Sequence, residues 1–189
     1  TSGVLFIIGA ISFATAASVL SATFNWPDFS ESLPMLCSLS LRPLAQAWVD
    51  LVFDGVDDAI LAVPILLLPA ALGRRDDTAL WVATFAGAIS VILALIGFLR
   101  WVFVVPPLAR LYQEGDSATR TAVAAGWLAQ HQFGGALLGE HLGQLLGIGW
   151  SVTLSIIVLR SRVLPRWIGV AGLVVSALYL FNQGDVLAT

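Results

Sequence analysis

The 189-residue sequence contains no lysine. Its cations are nine arginines, set against twelve acids, and charged residues make up only 11% of the chain. An ordinary soluble domain carries roughly 25%. A chain this poor in charge cannot cover a water-facing surface, which excludes a soluble globule. The same shortage excludes a disordered chain, because disorder needs polarity. A net charge of -3 leaves no basic patch, so nucleic acid is not an expected partner. The single cysteine, Cys37, has no second thiol for an internal disulfide or a thiolate metal site. There is no GxSxG, no HExxH and no phosphate loop, so the sequence gives no motif for hydrolase or nucleotide chemistry.

What the chain has in abundance is apolar residues, 58% of the total, with a mean hydropathy of +0.91. The expected class is an all-α integral membrane bundle whose surface meets the lipid bilayer. Apolar runs of about 20 residues are long enough to cross a hydrocarbon core about 30 Å thick. By that measure the single domain, residues 1–189, holds about five transmembrane helices, at 3–24, 47–72, 79–105, 133–159 and 167–181. The first run has no basic segment before it and is too long for a signal peptide. The sequence opens at Thr1 rather than a methionine, so a processed or missing start is expected. Asn25 to Pro43 reads as a loop, with Trp26 and Trp48 at interfacial positions.

Gly73-Arg74-Arg75-Asp76-Asp77 predicts a tight polar turn, and Pro64 and Pro69 predict kinks in the second run. Pro106-Pro107 is expected to end the third run. Asp116-Ser117 predicts a helix start, with an interfacial helix over 119–132. Arg74, Arg75, Arg160, Arg162 and Arg166 gather in the turns after the second and fourth runs. Short arginine-rich loops stay in the cytoplasm, which places the N-terminus inside and the C-terminus outside.

This orientation puts the intramembrane polar residues at one depth. The second run carries Asp50, Asp54, Asp57 and Asp58 as a stripe in its outer half. Arg100 comes late in the third run, and Glu140, His141 and Gln144 come early in the fourth. Ionisable groups inside a bilayer are rare and are usually paired or functional. The expected pairing is Arg100 with Glu140, with Asp54 or Asp58 in competition, since the planar guanidinium suits a desolvated carboxylate. Two readings of the cluster stand: a structural lock on helix register, and a proton- or ligand-binding site. Asp54, Asp58, Glu140 and His141 have the donor types of a metal site, but no spacing supports one and none is assigned. His131 and His141 lie ten residues apart on one segment, roughly 15 Å, so they cannot ligate one haem iron as a pair. No cofactor is named by any motif.

Gly135, Gly139, Gly143 and Gly147 repeat at four-residue spacing, a ladder that lets another helix approach closely. Spacing does not say whether that helix belongs to this chain or to another.

Three segments carry a resemblance. Arg100 to Tyr112 (RWVFVVPPLARLY), Gly139 to Leu146 (GEHLGQLL), and Leu159-Arg160-Ser161 with Leu164 to Gly169 (LPRWIG) occur in order. Together they resemble a bacterial membrane family known as domain of unknown function 4386, over residues 80 to 181 and more faintly over the first run. The resemblance implies an all-helical protein of the bacterial cytoplasmic membrane, without an established activity. It draws attention to the same Arg100, Glu140 and His141. The aspartate stripe forms no part of it. Relatives carry a further helix after the LPRW helix, so an additional C-terminal span is expected to be absent or lost here. The leading expectation is a non-enzymatic accessory subunit that joins other membrane subunits through the glycine-laddered helix. The alternative is a membrane protein handling a small molecule, a lipid or protons at the polar cluster.

Overall fold

The computed structural model describes residues 56–161 and 164–184, and of residues 56–61 and 102 the backbone alone. The first run, the loop after it, Asp50, Asp54 and Arg162 lie outside the described residues. Within them the protein is all-helical: α1 (Val56–Ala71), α2 (Thr78–Phe103), α3 (Val105–Glu114), α4 (Ser117–Gln130), a π-helix (His131–Leu142), α5 (Gly143–Ser161) and α6 (Arg166–Asn182).

The turn between α1 and α2 is built as its sequence demands. Gly73 takes a left-handed φ of 65°, which costs a glycine nothing. Arg74 N–H donates to Pro69 O at 3.0 Å and Gly73 N–H to Ala70 O at 3.1 Å, closing the end of α1. Asp77 then caps α2, its Oδ1 accepting from Leu80 N–H at 3.1 Å, while its other oxygen meets Arg74 Nη2 at 2.7 Å. Pro64 and Pro69 lie within α1 and are fully buried.

α2 closes at Phe103, just before Pro106-Pro107, as the sequence predicts, but the chain does not leave the helical conformation there, because α3 begins at Val105. Val104 N–H still donates to Arg100 O at 2.9 Å, and Leu108 N–H to Val104 O at 3.3 Å. The prolines fall in the first turn of α3, where their missing N–H groups would have no partner anyway. The chain is therefore helical over Thr78–Glu114, 37 residues, and again over Ser117–Ser161, 45 residues. The fourth run is correspondingly part of a longer helix than 133–159. Both helices are long and apolar enough to cross a membrane, which points to membrane association. Asp116 caps the second of them, its Oδ1 accepting from Thr119 N–H at 2.8 Å.

These two helices form an antiparallel hairpin. α2 packs against both α5 and the π-helix, and α3 packs against α4. α1 lies on α2, and α6 lies on α5. The hairpin is tied inside by Trp101 and Trp127, edge to face at 5.8 Å and both buried, with His131 over Trp127 at 5.4 Å.

Candidate functional site

The π-helix positions the site. Its hydrogen bonds reach five residues back, as in Gly143 N–H to Leu138 O, so each turn is wider than an α-turn. On an α-helix a four-residue repeat drifts about 40° per step. Gly135 and Gly139 lie on the wider turns and Gly143 and Gly147 on α5, and the ladder stays on one side across both. All four glycines meet α2 of the same chain. A Cβ on Gly139 would stand 3.0 Å from Gly97 Cα, one on Gly143 3.4 Å from Ser90 O, and one on Gly147 2.9 Å from Ser90 Oγ. Ser90 Oγ–H donates to Gly143 O at 2.7 Å, fixing the register of the two helices.

Gly135 differs from the other three. Its missing side chain accommodates the Arg100 guanidinium, which a Cβ would overlap. Arg100 is thereby held inside the bundle, only 6% exposed, with its Nη2 3.5 Å from Glu140 Oε1. Glu140 itself is 60% exposed. A charge-assisted hydrogen bond of this kind measures about 2.7–2.9 Å, so the contact is long and one-sided. Among the described residues Arg100 Nε, which is buried, has no hydrogen-bond partner. The guanidinium borders a cavity of about 140 Å³ shared with Gly97, Gly135, Gly139, Glu140 and Gln144.

Gln144 connects this cavity to a second polar group. Gln183, at the end of α6 and buried, donates from Nε2 to Gln144 Oε1 at 2.5 Å. Its own Oε1 lies 2.8 Å from His141 Nδ1. An amide oxygen only accepts, so His141 donates from Nδ1. Gln144 also lines a cavity of about 210 Å³ between α5 and α6, with Ser151, Ser176 and Tyr179. There Ser176 Oγ–H donates to Ser151 Oγ at 3.0 Å.

Arg100, Glu140, His141 and Gln144 are thus brought into one neighbourhood. Asp57 and Asp58 belong to the first turn of α1, where the backbone alone is described, and Asp54 lies outside. Among the described residues no three His, Cys, Asp or Glu side chains come together as metal ligands. Gln183 was missed because it follows the last apolar run. Counting would have found it: from the shared turn Gln183 lies about 17 residues along α6 and Gln144 about 16 back along α5, roughly 25 Å each.

The sequence model of the family described as a domain of unknown function (DUF4386) matches residues 1–187. The chain belongs to this family. The match covers the whole polar neighbourhood of this DUF4386 chain and extends well beyond residues 80 to 181, where the resemblance in sequence was plainest. No curated protein and no solved structure matches it.

Proposed function

We propose that this DUF4386 chain is a multi-pass protein of the bacterial cytoplasmic membrane that binds a small molecule at the Arg100 cavity. Five spans with a cytoplasmic N-terminus remain the topology that its apolar runs and arginine turns support. Depth supports the same reading. From Thr78 to Arg100 is about 22 steps of 1.5 Å, roughly 33 Å, and from Arg160 back to Glu140 about 30 Å. With the arginine turns at one face, both groups fall at the opposite edge of a hydrocarbon core about 30 Å thick. The outer face of α2 adds an exposed apolar stripe, Val82, Phe85, Ile89, Ile92 and Ile96, suited to lipid.

The observation that carries the binding role is the state of Arg100. A structural ion pair would hold its counter-ion close and shielded, and Glu140 is neither. We do not assign the accessory role through the glycine ladder, because those glycines are occupied by α2. The test is native mass spectrometry of the protein released gently from membrane. A stoichiometric small-molecule adduct that Gln144→Leu removes supports the binding role. A stoichiometric protein partner, with no adduct, refutes it and favours an accessory subunit.

A further inference from the structure

We propose that the ligand is an oxyanion with two acceptor oxygens, a carboxylate or a phosphate, carried on an apolar tail, and that it displaces Glu140 from Arg100. The inference deepens the binding role just given and rests on it. Arginine is always charged and offers its donors as a flat fork that matches carboxylate and phosphate. Here one edge of the fork is underused: Nε has no partner, and Nη2 reaches one oxygen at 3.5 Å. The side chain is only 6% exposed, with its Cζ 5.4 Å from the centre of the Trp101 ring, so bulk solvent reaches it poorly, and a buried cation calls for an anion. Glu140, 60% exposed, is not enclosed and has room to swing away.

The cavity sets the size of what binds. About 140 Å³ is well below the roughly 300 Å³ at which ordinary ligand pockets begin. It equals about four or five waters at ~30 Å³ each. That is room for a charged head and not for a whole amphiphile, so a tail would lie outside, along the apolar surface. Gly97, Gly135 and Gly139 give part of the cavity wall as bare backbone beside Ala94 and Phe98, and Gln144 adds an amide that can face a third oxygen.

The test uses the full chain in nanodiscs of phosphatidylcholine alone, with added phosphatidylglycerol, or with added oleate. Bound anion is counted by native mass spectrometry, and affinity is read by titration. Acetate and inorganic phosphate serve as probes without a tail. One retained phosphatidylglycerol or oleate per chain is expected, with acetate and phosphate at least about tenfold weaker. Arg100→Gln and Arg100→Lys, the second keeping the charge and losing the fork, are each expected to bind at least about tenfold more weakly. Glu140→Gln is expected to bind as tightly as the parent or more so, since a competing anion is gone. Circular dichroism establishes that each variant is folded. Undiminished binding by folded Arg100→Lys, or a tenfold loss in folded Glu140→Gln, overturns the proposal. Equal affinity for acetate and oleate overturns its tail. A neutral amphiphile retained in all these variants but lost in Gln144→Leu overturns the anion and leaves the binding role standing. No adduct of any kind overturns both.

Discussion

Alanine at Gly139 tests the close backbone approach of α2 to the π-helix. A Cβ there would lie 3.0 Å from Gly97 Cα and 3.4 Å from Gly134 O. Carbon contacts are optimal at about 3.5–4.0 Å, and both neighbours are backbone, which cannot rotate aside. The helices must therefore part, at an overpacking cost of about 1–3 kcal/mol. Alanine also gains about 1 kcal/mol over glycine in a helix, so the net effect at Gly139 is smaller. Gly126 supplies the reference, because a Cβ there meets nothing within 4 Å. Gly126→Ala should stabilise by about 0.5–1 kcal/mol, and the difference between the two variants isolates the packing term. Adding Gly97→Ala places a second methyl in a gap already opened, so the two costs should fall short of additivity by about 0.5 kcal/mol or more. Unfolding in mixed micelles with increasing dodecyl sulfate, followed by far-ultraviolet circular dichroism, reads these values. If Gly139→Ala is as well tolerated as Gly126→Ala, the close approach of α2 to the π-helix is wrong.

Gln183→Ala removes both amide bonds from a buried position and should cost about 1–3 kcal/mol, read in the same titration; an unchanged midpoint would mean that His141 and Gln144 do not depend on it. Gly135→Ala should push the guanidinium out of its seat rather than part the helices, because what it overlaps is the end of a flexible side chain; the expected result is a near-normal midpoint with Arg100 newly exposed to guanidine-directed labelling. The N–H of Thr119, and its hydroxyl second, hold the Asp116 carboxyl below the usual carboxylate range. The stability this cap gives α4 is therefore complete above the unfolded value, about 3.9, and is lost as pH falls through the lowered folded value. Amide exchange at the start of α4 should accelerate over that acid window in the parent, and the Asp116→Asn variant, which caps without titrating, should show no such change.

Local chemistry was readable wherever one residue decides the outcome. Gly73 and Asp77 announce the first turn, and Asp116 announces α4, because a left-handed φ and an orphaned N–H each need a particular residue type. Pro106-Pro107 disclosed the end of α2 and not the start of α3, because the same dipeptide serves two purposes. Proline ends a helix when it falls in the interior and opens one when it falls in the first turn. Which applies here depends on Val104, which closes α2 with its N–H and opens α3 with its carbonyl. The π-helix was hidden for a different reason. Placing residues by angle assumes about 3.6 per turn, and that period fails from His131 to Leu142. The four-residue glycine repeat gave no sign of it, since Gly143 and Gly147 keep the same spacing and the same neighbour on α5, an ordinary α-helix.

The ladder and the cation are connected through that turn. Four glycines in one helical stretch sacrifice about 1 kcal/mol of helix propensity each, which close packing has to offset. Gly139, Gly143 and Gly147 do so by admitting the backbone and Ser90 of α2. Gly135 admits no backbone; it admits a charge. A helix needing only to pack would gain from an apolar side chain at that place, and a cation needing only a counter-ion would gain from a shielded carboxylate. Among the described residues there is neither. They include a glycine beneath the guanidinium, an exposed glutamate at arm's length, and an unpartnered Nε beside a cavity the size of a headgroup. Those three choices are costly as architecture, and they become coherent when an outside anion completes the site.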